Sequence, residues 1–374
     1  MRIYKAFPAY QSYLDRFYSR NPRLKTLSFL GQLSELENDC FPWILTWNQF
    51  NTDDSVEVFE TIHNDFYLQQ SWCNNRFIMD ADWQKKIIIE QIKFFQPNVC
   101  IIYPPELFSS EFVDQIREVV RHPVVVGGYD GMDRQNISLY NGYDFVITCS
   151  KFISKYYSDN GFATYALEFG FDPKVLTNLK VSKKRYPISF SGSIFEGIHD
   201  DRLELLRVLI RDGQNVTISS DFEIARHYSL FSRRLLRAIK NGTFVDYYEK
   251  YKIHKHNIGP LFGRDMFQFL YNSDITLNLH GDKISFAANV RLYEATGVGT
   301  CLLTDWKKNI SEIFEPDKEI VTFQTKEEAY DRIKFLKKHE KVRMAIAQNA
   351  KKRTLSDYTY AQRIPKVIQF VKQL

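Results

Sequence analysis

The sequence predicts an α/β protein made of two doubly wound domains with parallel sheets that face each other across a cleft. Three observations support this fold class. The chain has 374 residues, more than one hydrophobic core usually holds. Short apolar strand patterns alternate with helical patterns, which is typical of parallel sheets. This alternation occurs once in the first half of the chain and restarts near residue 186.

The first series begins with the apolar stretch Val99–Tyr103 and continues through two further predicted strands, "HPVVVGGYDG" and "YDFVITCS". The helix "SSEFVDQIREVV" separates the first two strands, with Ser109 or Ser110 as its N-cap. No strand is assigned to the first 95 residues, whose pattern is irregular. Ligands of such folds bind at the carboxyl ends of the strands, so we expect the loops there to face a ligand.

The second series contains the predicted strands "YPISFSGS", "NVTISS", "DITLNLHGD" and "TCLLTD". Helical patterns separate them, and "HDDRLELLRVLIRDG" is predicted to stop at Gly213. A polar, basic segment near residues 171–186 separates the two series. We therefore predict an N-terminal domain over residues 1–175, a C-terminal domain over residues 176–355 and a terminal helix over residues 356–374.

The composition argues against several classes of protein. A net charge of +5, from 50 basic and 45 acidic residues, does not support a dedicated nucleic-acid binder. The five cysteines are scattered and contain no C-x-x-C pair, which fits reduced thiols and argues against a disulfide framework or a structural zinc site. We find neither an export signal nor an apolar run that could span a membrane, and expect a cytoplasmic protein.

The stretch "NVRLYEATGVGTCLLTD", residues 289–305, carries the strongest candidate site. If its first half is helical, Arg291 and Glu294 lie three residues apart on one face. Two explanations remain open. The two side chains form an intrahelical ion pair, or Arg291 donates to a phosphate while Glu294 accepts from ribose hydroxyls. Lys283 and Asn289 lie just before this helix and could add donors.

A second candidate site follows the first strand of the second series. Gly192 and Ser193 come directly after that strand, where backbone N–H groups can point at an anion. A plain turn is the commoner explanation for a glycine in this position. The chain has neither the dinucleotide fingerprint G-x-G-x-x-G nor a P-loop, so neither of those nucleotide sites is indicated.

At these residues the sequence resembles GT-B glycosyltransferases of the CgeB-like, family-1-type class. The matching words occur in the expected order over most of residues 188–363: "SFSGSIFEG", "GRDMFQFLYNSDITLNLH", "NVRLYEATGVGTCLLTD", "ISEIFEPDKEIVTFQTKEEAYDRI" and "AIAQNAKKRTLSDYTYAQR". The resemblance implies two Rossmann-like domains and a nucleotide diphosphate sugar as the donor substrate, with no further cofactor. It also implies a C-terminal helix that crosses back to the N-terminal domain, which lies on the acceptor side.

The same resemblance assigns roles to individual residues. Glu294 matches the glutamate that holds the donor ribose, while Asn289 and Arg291 would face the diphosphate. Thr304 and Asp305 follow the glycine turn and would lie near the donor.

The sequence departs from many relatives at Phe286. Relatives with this fold often carry a second carboxylate eight positions before the one matched by Glu294, and phenylalanine occupies that position here. The identity of the sugar and the stereochemical outcome therefore stay open. The missing carboxylate also keeps open a catalytically inactive nucleotide-sugar-binding protein, and an epimerase on the same fold remains a further alternative.

Glycosyl transfer needs stabilisation of the leaving diphosphate and can need a base for the acceptor hydroxyl. Arg291 is the candidate for the first task. For the second, Asp130 follows a buried strand and His280 ends the strand "DITLNLH", although a turn-forming aspartate and a hydrogen-bonded loop histidine are open alternatives. No D-x-D motif or metal-ligand cluster is evident, so we expect metal-independent transfer.

A basic and aromatic segment, residues 226–255, contains eight Lys and Arg against Asp246 and Glu249. It fits a surface for an anionic membrane or a lipid-linked acceptor, with a solvated basic helix as the commoner explanation.

These observations together predict a cytoplasmic glycosyltransferase that moves a hexosyl or related group from a nucleotide diphosphate sugar. The predicted acceptor is a polysaccharide, glycolipid or protein, as in cell-surface polysaccharide biosynthesis. Peripheral contact with the inner membrane surface is part of this prediction.

Overall fold

The computed structural model describes most of the chain and divides it into two compact units. The first unit comprises Met1–Asp172 with Thr359–Leu374, and the second comprises Pro173–Tyr358. The described residues are 1–41, 44–74, 80–132, 134–181, 183–195, 197–221, 233–281 and 284–374.

The first unit is built on a sheet of six parallel strands. The strands are β1 (Arg2–Phe7), β2 (Glu57–Ile62), β3 (Val99–Ile102), β4 (Val125–Asp130), β5 (Phe145–Thr148) and β6 (Ala163–Ala166). Their order across the sheet is β2-β1-β3-β4-β5-β6. The helices before the unit boundary are α1 (Gln11–Arg20), α2 (Phe29–Asn38), α3 (Trp47–Phe50), α4 (Phe66–Trp72), α5 (Trp83–Phe95), α6 (Ser110–Val119) and α7 (Lys151–Asp159).

Strands β1 and β2 lie in the part of the sequence to which no strand was assigned. Their apolar pattern is interrupted because Lys5 of β1 and Glu60 of β2 are both buried and form an ion pair of 2.8 Å. Burial lowers the pKa of Lys5, and the neighbouring Glu60 counteracts this only in part. A buried charge pair across two strands therefore hides the strand pattern from sequence inspection.

The second unit contains a sheet of five parallel strands. The strands are β7 (Tyr186–Ser191), β8 (Val216–Ser219), β9 (Ser273–Asn278), β10 (Cys301–Asp305) and β11 (Val321–Phe323), in the order β11-β10-β9-β7-β8. The helices are α8 (Lys174–Asn178), α9 (Asp200–Arg211), α10 (Arg233–Lys240), α11 (Phe244–Lys255), α12 (Gly263–Tyr271), α13 (Arg291–Val298), α14 (Ile310–Ile313), α15 (Lys326–Lys338) and α16 (Glu340–Asp357).

One core holds this second sheet and its helices together. Ile275 and Leu277 of β9 and Leu303 of β10 belong to a buried cluster that also contains Leu206 of α9 and Ile333 of α15. All four strands predicted for this half of the chain are present. Strand β11 has only three residues, too few to give a periodic signal in the sequence.

The chain ends in α17 (Tyr360–Val371), which belongs to the first unit. Thr359 and Gln362 form a capping box that starts this helix. Two α/β units with parallel sheets confirm the predicted fold class. All five cysteines are buried free thiols. Among the helices of the described residues, none has the length and apolar character needed to cross a membrane.

The close approach of β4 to β5 yields a test of the first core. A Cβ atom at Gly127 would lie 2.1 Å from Cζ of Phe145, which is fully buried on the paired strand. Because the ring has no free space, we expect Gly127→Ala to lower the free energy of unfolding by about 1–3 kcal/mol. Thermal denaturation followed by circular dichroism measures this. Adding Phe145→Leu should restore part of the loss, and an unchanged melting temperature in the single variant would contradict this packing.

Candidate functional site

The candidate site lies where the strands of the second sheet end. Strands β9 and β10 pair so that Asn278 lies opposite Thr304, which brings the residues that follow both strands side by side. A cavity of about 520 Å³ opens at this edge. Its lining comprises Asp201, Leu205, Leu279, His280, Gly281, Asp305, Trp306, Lys307, Phe323, Gln324, Thr325, Lys326 and Glu327.

His280 and Asp305 form the centre of this edge. The Nδ1 atom of His280 lies 2.7 Å from Oδ1 of Asp305, and the backbone N–H of His280 donates to the same oxygen at 3.1 Å. The imidazole is fully buried, and within the described chain its Nε2 atom has no hydrogen-bond partner. An ionised Asp305 only accepts hydrogen bonds, so the Nδ1 atom carries a proton. The Nε2 atom is then the acceptor nitrogen of the ring.

Asp305 is held in its ionised form. Burial by itself would raise the pKa of its carboxyl, but His280 and Lys307 outweigh burial and lower the pKa. The Nζ atom of Lys307 lies 3.1 Å from Oδ2 of Asp305. Asp305 therefore bridges an imidazole and a lysine that both line the cavity.

Asn289 and Thr304 are connected through hydrogen bonds to the side chain of Asn278, which ends β9. The side chain of Asn278 donates to Oγ1 of Thr304 at 2.9 Å. The side chain of Asn289 donates to Oδ1 of Asn278 and to the carbonyl of Leu279, both at 3.1 Å. The structure thus brings these two predicted residues together, and both side chains hold the loop after β9 in place.

Arg202 of α9 connects the two loops on either side of the edge. Its Nε donates to the carbonyl of Leu279 at 3.0 Å and its Nη1 to the carbonyl of Ser193 at 2.8 Å. Gly192 differs from the expectation of an anion-binding amide, because its N–H donates to the carbonyl of Ser219 at 3.1 Å. The turn explanation fits Gly192, whereas substrate binding by Ser193 stays a prediction.

Arg291 and Glu294 lie at the start of α13 and contact each other. The Nη1 atom of Arg291 lies 2.6 Å from Oε2 of Glu294, with side chains that are 13% and 1% exposed. The intrahelical ion pair, one of the two explanations that the sequence left open, is therefore present.

This ion pair is poorly satisfied. Within the described chain, neither carboxylate oxygen of Glu294 and not the Nε atom of Arg291 has a hydrogen-bond partner. Burial raises the pKa of Glu294, and the charge of Arg291 counteracts this only in part. A buried ion pair without further hydrogen bonds gains less from Coulomb attraction than it loses in desolvation. A carboxylate kept in such a place is typical of a functional site.

Asp130 has a different environment, at the end of β4 in the first unit. Its carboxylate is fully buried and accepts hydrogen bonds from the backbone N–H groups of Met132 and Arg134 at 2.9 and 3.2 Å. Nη1 of Arg134 and the hydroxyl of Tyr157 donate to it at 3.1 and 2.9 Å. These partners fit a carboxylate that fixes its loop, the alternative left open by the sequence, so we do not assign Asp130 as the base.

Some residues of the site were not predicted, and one predicted residue lies outside the described chain. Lys283 is not among the described residues. The sequence could have indicated Lys307 as a site residue, because it follows β10 by two positions. Nothing in the sequence indicates Arg202, because a position on a helix does not reveal which loop its side chain contacts. In the described part of the chain, no group of three or more His, Cys, Asp and Glu could hold a metal ion.

Part of the sequence matches a known family. Residues 225–369 match the family described as glycosyl transferase-like. This region includes α13, β9 and β10, and hence His280, Glu294 and Asp305. No curated protein matches the chain in sequence.

Solved structures share the fold of the whole chain. Anabaena HepE, solved in complex with UDP-glucose, has a TM-score of 0.64 and 11% identity, with both chains covered completely. The lipopolysaccharide outer core galactosyltransferase WaaB in its apo form has a TM-score of 0.52 and 13% identity, again over both complete chains. A putative UDP-N-acetylglucosamine 2-epimerase from Listeria monocytogenes has a TM-score of 0.51 and 11% identity, covering 100% of this chain and 96% of its own.

Identities this low indicate a common fold and nothing finer. That shared fold confirms the predicted GT-B architecture, and the family match shows a glycosyl transferase-like sequence over residues 225–369. The narrower CgeB-like subtype stays a prediction.

The raised pKa of Glu294 leads to a pH-dependent stability. In the window between the unfolded pKa of about 4.3 and the higher folded pKa, the folded protein binds more protons than the unfolded chain. The contribution of Glu294 to stability therefore falls as the pH rises through this window. The Glu294→Gln variant has no titratable group at this position, so it lacks this pH-dependent loss of stability. We expect its melting temperature, relative to that of the unchanged protein, to increase as the pH is raised from about 4 to neutral.

Glu312→Gln, a change at an exposed position on α14, is the matched control and should follow the unchanged protein. A constant difference in melting temperature between Glu294→Gln and the unchanged protein across this pH range would contradict a destabilising burial of the Glu294 carboxylate.

Proposed function

We propose that the protein transfers a glycosyl group from a nucleotide diphosphate sugar to a glycan, glycolipid or protein acceptor without a metal ion. One observation supports this most: a buried histidine with an unpartnered Nε2 atom, oriented by an ionised aspartate, is among the residues that line a cavity of about 520 Å³. A cavity of this size is in the range of small-molecule sites. The match of residues 225–369 to a glycosyl transferase-like family supports the reaction class.

Glu294 and Arg291 are the proposed ligands of the nucleoside diphosphate. They contact each other at 2.6 Å, Nη1 of Arg291 also donates to Sδ of Met266, and the Glu294 oxygens and Arg291 Nε have no hydrogen-bond partner in the described chain. A ribose offers hydroxyl donors to both oxygens of Glu294, and a diphosphate offers oxygens to the planar guanidinium of Arg291. We therefore propose that donor binding opens the ion pair and gives each partner better hydrogen bonds. The complex of HepE with UDP-glucose supports this donor class for a protein of the same fold.

The leaving diphosphate needs positive charge as its bond to the sugar breaks. Arg291 lies at the first position of α13, where the helix dipole adds partial positive charge. Lys307 lies at the cavity and adds an ammonium group. Fixed cations of this kind stabilise developing negative charge, and we propose that they do so here in place of a metal ion.

His280 is the proposed base. Its Nε2 atom takes the proton of the acceptor hydroxyl while the acceptor oxygen forms a bond to the anomeric carbon. The bond from that carbon to the diphosphate breaks, and the nucleoside diphosphate leaves. The ionised Asp305 stabilises the imidazolium that forms. Phe286 is buried near the start of this motif and offers no carboxylate, so the sugar and the stereochemical outcome stay open.

An epimerase is the second candidate, since a putative UDP-N-acetylglucosamine 2-epimerase shares this fold over the whole chain. The two reactions differ in their need for an acceptor, and an inactive binding protein would bind the donor without converting it. We further propose a cytoplasmic enzyme of cell-surface polysaccharide biosynthesis that contacts the inner membrane surface peripherally.

The donor is identified first, by the rise in melting temperature with UDP-, GDP-, TDP- and CMP-sugars. We then expect Glu294→Ala to raise the dissociation constant of the best donor by about tenfold to a hundredfold, because hydrogen bonds to a charged group are lost. Titration calorimetry measures this. Glu312→Ala is the control and should bind like the unchanged protein. Equal affinity of a folded Glu294→Ala protein would contradict the role of Glu294.

Turnover tests the base. We expect His280→Gln to lower turnover by about 10²- to 10⁴-fold with little change in donor affinity, and Asp305→Asn to cause a smaller loss. His339→Gln, at an exposed position after α15, serves as the control. The chelator EDTA should leave transfer unchanged. Near-normal turnover of His280→Gln would exclude it as the base, loss of activity with EDTA would exclude metal independence, and conversion of the donor without an acceptor would favour an epimerase.

A further inference from the structure

Two adjacent helices of the second unit expose an unusual apolar face. We define the α10–α11 surface by the apolar residues Leu236, Ile239, Phe244, Val245 and Tyr248 and the basic residues Arg237, Lys240, Lys252 and Lys255. All five apolar side chains are exposed, with Leu236 at 68% and Val245 at 69%. They fall within 13 consecutive residues. Scattered single apolar residues are normal on a surface, whereas a cluster such as this marks an interaction site.

The exposed face is not needed to hold the helices in place. Ala238 of α10 and Tyr247 and Ile253 of α11 are buried and anchor the two helices. Each helix therefore has an inner apolar side that packs and an outer apolar side that does not. Exposure of the outer apolar side chains to water is unfavourable unless a binding partner covers them.

The charges of the two helices are sorted by side. The carboxylates of Asp246 and Glu249 turn towards Arg207 of α9, with Asp246 Oδ1 at 2.5 Å and Glu249 Oε2 at 3.8 Å. Lys250 also pairs with Asp246, at 2.9 Å. The acidic groups are thus paired with Arg207 and Lys250 and not with the basic residues of the α10–α11 surface.

The basic residues of the α10–α11 surface have no such partners. In the part of the chain that the structure describes, none of the four pairs with a carboxylate. The Nζ atoms of Lys252 and Lys255 lie over the rings of Tyr248 and Tyr251, at 4.8 and 5.5 Å from the ring centres. The outer face therefore combines exposed apolar side chains with positive charge only.

We propose that the α10–α11 surface docks onto an anionic lipid bilayer. The apolar side chains enter the boundary between headgroups and acyl chains, while the basic side chains meet the lipid phosphates. A nucleic acid would use the cations but leave the apolar residues in water. An apolar protein groove would cover those residues but leave the cations unpaired. Of these three partners, the bilayer with anionic headgroups matches both properties. The proposal deepens the peripheral membrane contact proposed above by naming its surface and lipid charge, and it does not depend on the glycosyl transfer reaction.

The test uses the full chain and vesicles of two compositions, phosphatidylcholine alone and phosphatidylcholine mixed with phosphatidylglycerol. We expect the protein to sediment with the anionic vesicles and not with the neutral ones. Added salt should weaken the binding because it screens the charges. Failure to bind the anionic vesicles would overturn the proposal.

Two variants separate the apolar and the charged contributions. Leu236→Ser with Val245→Ser removes apolar anchors, and Arg237→Glu with Lys240→Glu reverses two charges. We expect each pair to lower the partition coefficient at least tenfold, since one basic residue at an anionic surface accounts for about fivefold. The control pair, Lys341→Glu with Met344→Ser on the exposed side of α16, should bind like the unchanged protein.

Other occupants give different results. Equal sedimentation of the surface variants and the control would overturn the proposal. So would a concentration-dependent dimer in analytical ultracentrifugation that the surface variants abolish, because it would assign the face to a second copy of this chain. Donor-induced thermal shifts in every variant report on folding and on the nucleotide site independently of vesicle binding, so failure of one proposal is distinguishable from failure of the other.

Discussion

The candidate site depends on the parallel pairing of β9 with β10. Because Asn278 lies opposite Thr304, the residues that follow the two strands meet, and His280 reaches Asp305. A shift of one residue would turn these side chains to the other face of the sheet. The apolar core around Ile275, Leu277 and Leu303 fixes this register. Packing of this apolar core thus sets the geometry of polar groups at the edge of the second sheet.

Several buried polar groups of the second unit are less satisfied than a stable core requires. The Nε2 atom of His280 and both oxygens of Glu294 are buried without a hydrogen-bond partner in the described chain. A buried polar group without a hydrogen-bond partner destabilises a fold, and the Arg291 contact offsets this only in part for Glu294. The amides of Asn278 and Asn289, by contrast, are well bonded and hold the surrounding loops. Well-bonded loops together with unsatisfied buried groups are expected of a preorganised binding site.

Much of this could be predicted from the sequence, and the failures have physical causes. The strands of the second half could be predicted because apolar residues alternate with small polar residues in β7, β8 and β9. Strands β1 and β2 could not, because a buried Lys5–Glu60 pair breaks their pattern. The spacing of Arg291 and Glu294 predicts contact on a helix but not whether a ligand competes for it. The partners of Asp130 and the reach of Arg202 depend on tertiary packing, which no local pattern records.

We propose above all that donor binding breaks the Arg291–Glu294 ion pair and that both side chains then bind the nucleoside diphosphate. A crystal structure with the preferred nucleoside diphosphate tests it most directly. The account predicts ribose hydroxyls within hydrogen-bonding distance of the Glu294 carboxylate, and the Arg291 guanidinium turned from Glu294 to the diphosphate. A bound nucleotide elsewhere, with the pair still closed at its 2.6 Å contact, would contradict it.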